Sequence, residues 1–362
     1  MSRTPRSEVF EPAENGVYHV YNHVVRRCFL CGKDPVSGKD FSYRRKFIVE
    51  RLRQLADFFA IDVMAHSILS NHFHIVVRNR PDLVKAWDDR EVARRWCMIC
   101  PEKRAPDLSP LPPTEARLKA LLADQEGLLE LRSRLSNPSW LMQQVCQYIA
   151  RRCNAEDNQR GRFFGDRFQM KRLLDEAGVL ACMAYVDLNP INAGMCNTLE
   201  GYAEVSIGER MRSLDDLPVD TAEWLAPLSL AGETDRQSVR RVGSKKSSKS
   251  SPPAEAAPVE RLGCLPMELE QYVELLQWLA VRKRPELAAK LPRSKEGDRV
   301  LRGLGLDAAA FATALDHYER QFFTVVGCPV STKREAKRRN RRWLQSPGRH
   351  ALRRRNAQPA AG

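Results

Sequence analysis

The order of hydrophobic patterns predicts an α+β fold: a ferredoxin-like, split βαβ antiparallel sheet with helices, followed by a helical, basic C-terminal part. Three observations carry this. Runs rich in β-branched and aromatic residues alternate with stretches whose apolar residues recur every three or four positions, in the order β-α-β-β-α-β. A polar, proline-broken segment interrupts that order after the third strand. A Ser/Lys/Pro-rich stretch then separates it from later helical patterns.

The first strand is read over residues 16–25, GVYHVYNHVV. Residues 45–60, RKFIVERLRQLADFFA, have the spacing of an amphipathic helix. Two short strands follow, over 61–68 and 71–78, joined by a tight turn at Leu69-Ser70. Residues 81–139 are polar, broken by PDLSPLPP, and read as an insertion holding one helix from Thr114 to about Leu135. Ser136-Asn137-Pro138 forms a turn before a helix from Trp140 to Cys153, and Arg167 to Leu174 reads as the fourth strand. Asp175 and Glu176 suit a positive helix N-terminus and open a helix running to Asn189, where Pro190 is expected to stop it.

The domain reading places this unit at residues 1–210. Residues 211–258 are a connecting segment ending in the linker GSKKSSKSSPPAEAAP, 259–330 a helical domain, and 331–362 a basic tail. Between residues 333 and 355 the tail has eleven Lys or Arg against one Glu.

The composition of the 362 residues, 43% hydrophobic and 29% charged, is that of a soluble chain able to bury a core. No apolar run approaches a membrane span, and the first residues lack the apolar centre of a signal peptide, so a cytoplasmic location and no membrane partner are expected. A net charge of +14 points to an anionic partner, nucleic acid foremost. Ten cysteines without a small-domain framework fit a reducing compartment. Cys28/Cys31 and Cys97/Cys100 have the spacing of thiolate zinc ligands, but neither pair has a glycine-rich knuckle, and free core thiols are the expectation.

Two histidines stand out in SNHFHIVV, residues 70–77. On a strand His72 and His74 share a face, so their imidazoles are neighbours able to take adjacent positions around one metal ion. Taken alone, the pattern favours a pair of histidines that binds nothing, and only its context points to a metal. Far downstream, Tyr185 and Asn189 in MAYVDLNPINAGM lie one helical turn apart on one face. Continued backward, that face holds Gly178, Ala181 and Cys182, small residues expected to leave the phenol open to a phosphate, while Val179, Leu180, Met183 and Val186 offer packing surface. Tyr148, the competing nucleophile, lies on a mostly apolar stripe and reads as a packing residue. Arg160, Arg162, Arg167, Lys171 and Arg172 are interleaved with Phe163, Phe164 and Phe168, a combination that can grip single-stranded DNA through backbone charge and base stacking. No P-loop is present.

Together, HxH on a strand, the basic segment RGRFFGDRFQMKRLLDE and a later Tyr-x-x-x-Asn-Pro resemble the HUH motif and tyrosine helix of the single-tyrosine transposases, of the REP-associated tyrosine transposase type. The matched stretch runs from about Gly16 to Met195, without the insertion. The resemblance implies a metal-dependent nuclease and strand transferase acting on single-stranded DNA, usually at hairpins. Tyr185 would attack a phosphodiester to leave a 5′-phosphotyrosine and a free 3′-hydroxyl, with His72, His74 and Asn189 as metal ligands and magnesium or manganese as the ion. The expected partners are single-stranded or hairpin DNA, with the protein a monomer or homodimer. A domesticated hairpin-binding protein and a replication initiator or relaxase are the alternatives. Relaxases often carry a third nearby histidine and an early tyrosine, but here His66 lies in a different strand and Tyr18 and Tyr21 lie within a strand.

Overall fold

The computed structural model describes residues 5–25, 29–34, 37–106, 109–212, 224–230, 259–291, 296–344 and Leu352. Five strands form one sheet: β1 (Val17–His23), β2 (Ile61–Ile68), β3 (His72–Asn79), β4 (Gln169–Leu173) and β5 (Val325–Val326). Their order across the sheet is β2-β3-β1-β4-β5. The first four pair antiparallel, and the two-residue β5 joins β4 in parallel, so the α+β sheet is mixed rather than wholly antiparallel.

Alternation along the strands divides the core in two. Tyr18 and Val20 of β1 and Phe73, Ile75 and Val77 of β3 face one layer, built by α2 (Arg44–Ala56), which follows the single-turn α1 (Arg6–Val9), and by the insertion helices. Val76 of β3 and Leu173 of β4 face the other layer.

The insertion is more helical than its composition suggests. It contains α3 (Pro81–Ala86), α4 (Asp89–Ile99), α5 (Glu115–Ala123) and α6 (Gln125–Leu135) before the long α7 (Pro138–Glu156). Local capping accounts for the difference. Asp88 accepts a hydrogen bond from the Glu91 amide (2.7 Å) to start α4, and Asp124 accepts from the Gly127 amide (2.9 Å), dividing the expected 114–135 helix into two.

The opposite layer starts with α8 (Glu176–Asn192), capped by Asp175 accepting from the Gly178 amide at 2.8 Å. Pro190 lies inside this helix and does not end it. In the last turn proline forfeits one donor, and the amides of Ala193 and Met195 still reach the carbonyls of Asn189 and Pro190. The stop is Gly194, whose φ of 71° is the left-handed conformation that closes helices.

After α9 (Ser206–Arg212), residues 224–230 are built into the core: the Ala226 amide donates to the Val63 carbonyl (2.8 Å) and Trp224 Nε1 to Glu209 (2.8 Å). The linker reading for 243–258 lies outside the described residues. The later helices are α10 (Leu269–Lys283), α11 (Gly297–Gly303), α12 (Ala308–Asp316), α13 (Tyr318–Gln321) and α14 (Pro329–Arg338). Tyr272, Leu275, Leu276, Phe311 and Tyr318 share one apolar cluster with α8, so these helices continue its layer.

Candidate active site

Register brings the chemistry to one face of the central strands. Tyr21 pairs with His74 and His23 with His72 across β1 and β3, and His19 pairs with Lys171 across β1 and β4. Because odd-numbered residues of β1 share a face, His19, Tyr21 and His23 join the two histidines of β3. The His72 ring lies 4.6 Å from that of His23 and 4.9 Å from that of His74, centroid to centroid. Tyr185 of α8 meets His74 edge to face at 5.4 Å.

One hydrogen bond fixes an imidazole tautomer. His72 Nδ1 is 2.6 Å from Asn71 Oδ1, an acceptor, so Nδ1 donates and Nε2 keeps its lone pair. Burial, reinforced by His23, pushes the His72 pKa down to about 4, leaving it neutral at pH 7. His74 is fully buried and its pKa is depressed by burial and then by His19. Its Nδ1 lies 3.0 Å from His19 Nε2, while its own Nε2 is buried without a hydrogen-bond partner. With the His74 proton on Nδ1, donated to His19, the orphaned Nε2 is a free lone pair; with His19 Nε2 as the donor, His74 Nε2 carries the proton instead.

The far C-terminal residues complete the face. Tyr318 stacks on Tyr185 with centroids 4.3 Å apart and planes at 16°, and its hydroxyl lies 3.5 Å from His19 Nδ1. The Tyr185 hydroxyl donates to Glu319 Oε1 at 2.7 Å. Burial and this carboxylate both raise the Tyr185 pKa, so the phenol is protonated and needs an acceptor before it can act as a nucleophile. Lys171 Nζ lies 4.9 Å from the Tyr318 ring and 5.4 Å from the Tyr21 ring. Burial pulls its pKa down to about 8.

Of the expected ligands, His72 and His74 stand together and Tyr185 lies beside them. Asn189 is half-buried one turn beyond Tyr185, and its Nδ2 is buried without a partner. Among the described residues no group of three or more His, Cys, Asp and Glu is disposed to hold a metal ion. The orphaned His74 Nε2 and the uncommitted His72 Nε2, both on neutral rings, nevertheless fit a two-imidazole donor set, with the Asn189 amide as the further donor.

Several expectations are revised. Gly178, Ala181 and Cys182 do not leave the phenol open: all three are buried, and a Cβ at Gly178 would stand 2.5 Å from the Val326 carbonyl oxygen. Small residues here admit β5 and the C-terminal helices. Lys171 is 2% exposed and faces His19, because strand alternation turns it inward, and Arg172 is paired with Glu14 at 2.9 Å. Arg160, Arg162 and Arg167 are exposed, whereas Phe163 and Phe168 are core residues and Phe164 packs edge to face on Phe73. Tyr148 packs edge to face on Phe47, and its hydroxyl accepts from Arg152. Cys28 lies outside the described residues; Cys31 and Cys97 are buried free thiols and Cys100 an exposed one.

The sequence reasoning missed His19, Tyr21 and His23, although their period of two in HVYNH was a visible signal. Tyr318 and Glu319 gave none, since nothing local distinguishes them from the surrounding helical pattern. Among the described residues, no helix is long and apolar enough to cross a membrane.

No protein-family model matches the chain, and no curated protein matches it. Among solved structures, a REP-associated tyrosine transposase bound to a REP hairpin is similar to it at 10% sequence identity and a TM-score of 0.33, over 61% of this chain and 90% of that one.

Proposed function

We propose that this chain cleaves and rejoins single-stranded DNA, at hairpins, with Tyr185 as the nucleophile. The observation that carries this is the Tyr185 hydroxyl, held by Glu319 beside a cluster of histidines that burial keeps neutral, with the His74 Nε2 buried and unpartnered. The strand order through β4, with antiparallel pairing, supports a ferredoxin-like scaffold to which β5 is an addition.

In the proposed reaction the phenolic proton passes to Glu319 as the Tyr185 oxygen bonds to phosphorus. The bond from phosphorus to the 3′ oxygen breaks, and that oxygen takes a proton from water. The products are a 5′-phosphotyrosine and a free 3′-hydroxyl, and attack by another 3′-hydroxyl reverses the step and joins strands. His72, His74 and Asn189 would hold a magnesium or manganese ion, which when bound supplies charge to a non-bridging phosphate oxygen. His19 orients His74, and Lys171 adds a buried positive charge behind the phenols.

The test is incubation of the full chain with single-stranded hairpin oligonucleotides and Mn²⁺ or Mg²⁺, followed by denaturing electrophoresis. A covalent adduct is expected that Tyr185→Phe abolishes and Glu319→Gln slows about 10²–10⁴-fold. No adduct from the wild type in either cation, or an adduct persisting in Tyr185→Phe, overturns the assignment.

One observation favours a second reading, a hairpin-binding protein that does not cut: Tyr318 covers one face of the Tyr185 ring. That reading is distinguished by hairpin affinity indifferent to chelator and by no adduct in any divalent cation. A relaxase-type arrangement has less support, because His66 is engaged by Glu209 (3.3 Å) and Trp224.

A further inference from the structure

The cations at the C-terminal end of the described chain fall into two groups. Arg338 and Arg339 are bonded to Glu335 at 2.8 and 2.6 Å, Arg338 also reaches Glu11 (3.0 Å), and Arg341 reaches Glu8 (2.9 Å). Lys333 and Lys337, one turn apart on one face of α14, and Arg342 are exposed and meet no carboxylate among the described residues.

The second group rims a groove that the helix end builds. Asn340, at a φ of 51°, and Arg341 return their amides to the carbonyls of Lys337 (3.1 Å) and Ala336 (2.9 Å), a Schellman closure that turns the chain back. Residues 341–344 and the Lys333/Lys337 face of α14 then line an open groove of about 680 Å³. Its apolar lining includes Ala336, Leu344 and the methyl side of Thr332, with Ala336 and Thr332 buried. Trp343 stands in the same wall 69% exposed. No carboxylate lines the groove, and residues 345–362 contain no Asp or Glu, so the sequence that continues from it adds only cations.

We propose that this groove docks an acidic peptide segment of a partner protein, one that carries an apolar side chain among its carboxylates. The apolar side chain fits between Trp343 and the Thr332/Ala336 face, where a tryptophan otherwise left in water becomes the anchor. The carboxylates reach the rim at Lys333, Lys337 and Arg342, which gives the segment its charge requirement. Two observations favour a peptide over a nucleic-acid strand. The lining opposite Trp343 is aliphatic, so a base has a ring on one side only, and a run of phosphates at the rim would leave the apolar floor uncovered. The groove also belongs to a helix fastened away from the histidines. Glu335 of α14 lies 3.8 Å from Arg172, whose register partner Tyr18 faces the layer opposite the histidine cluster. The proposal does not depend on cleavage by Tyr185.

The test is fluorescence anisotropy of the full chain with a labelled synthetic peptide, Asp-Glu-Asp-Leu-Phe-Asp-Glu, and with the same peptide carrying Ser-Ser in place of Leu-Phe. Saturable binding of the first is expected, with the second weaker by about tenfold or more. Lys333→Glu with Lys337→Glu, and separately Trp343→Ala, should each weaken the first peptide by about tenfold or more; all three positions are exposed, so the fold is not at stake. Lys119→Glu with Lys290→Glu makes the same change of net charge at exposed positions elsewhere and should have the smaller effect. No saturable binding by the wild type, equal affinity for the two peptides, wild-type affinity in the groove variants, or equal loss in the charge control overturns the proposal. Displacement of the peptide by an unlabelled single-stranded oligonucleotide, with oligonucleotide affinity falling as far as peptide affinity in the groove variants, overturns it in favour of a nucleic-acid surface.

Discussion

Replacing Asp187 with alanine tests how the C-terminal helices are fastened to α8. Its buried carboxylate accepts from Ser206 Oγ at 2.5 Å, the Ile207 amide at 2.9 Å and the Tyr272 hydroxyl at 2.7 Å, joining α8 to α9 and α10. After truncation Ser206 can turn to the His66 carbonyl, 3.2 Å away, but the Ile207 and Tyr272 donors are left buried and unpaired. At roughly 1–3 kcal/mol per orphaned donor, with a smaller contribution from the cavity, the expected loss is about 3–5 kcal/mol. That is a large share of a typical stability of about 5–15 kcal/mol. Urea unfolding followed by far- and near-ultraviolet circular dichroism measures it. Asp187→Asn keeps an acceptor for Ile207 and turns its amide toward the tyrosine oxygen, so it should cost less than half as much. Tyr272→Phe combined with Asp187→Ala should cost less than the sum, because the stranded phenolic proton is gone. A loss below about 1 kcal/mol for Asp187→Ala, or equal losses for Ala and Asn, refutes the reasoning. Burial raises the folded Asp187 pKa above its unfolded value. Its contribution is therefore full below the unfolded pKa and is lost as pH rises through the folded one, a decline that Asp187→Asn should abolish.

Two further predictions concern the same layer. Gly178→Ala gains about 1 kcal/mol of helix propensity but sets a Cβ 2.5 Å from the Val326 carbonyl oxygen, so a net destabilisation of about 1–2 kcal/mol and an altered near-ultraviolet tyrosine signal are expected; a stabilised variant contradicts the close approach. His72 titrates near 4 when folded against about 6.5 unfolded, and His19 and His74 are shifted the same way, so their contribution is present above pH 6.5 and lost as pH falls through the folded values. Acid unfolding should thus begin below about pH 6.5, with up to about 3 kcal/mol from His72, and a flat stability between pH 6.5 and 4 counts against buried neutral imidazoles.

The first four strands were legible because period-two patterning in GVYHVYNHVV and SNHFHIVV survives whatever the rest of the chain does. His72 and His74 were singled out by strand spacing, and Tyr185 by helical spacing together with the resemblance; the structure places the three rings side by side. What remained hidden was set by contacts between distant segments. Among the insertion helices, α4 and α6 start on single capping carboxylates, Asp88 and Asp124, and α5 on the Thr114 hydroxyl, signals that a polar, proline-broken composition masked. Lys171 read as one of the DNA-gripping cations because its burial depends on α8 and α13 covering that side of β4. The small residues of α8 suggested open space, whereas their role is to admit a strand that begins at Val325, and two residues of β5 carry too little pattern to read.

The bond from Tyr185 to Glu319 spans 134 positions of sequence, and this bears on how portable the site is. Grafting residues 17–192 onto another scaffold would transfer the imidazoles and the phenol, but not the ring that stacks on Tyr185 or the carboxylate that takes its hydroxyl. Recombination anywhere between Tyr185 and Tyr318 would separate the same partners. The smallest unit that can be inherited or engineered with the site intact extends from β1 through α13.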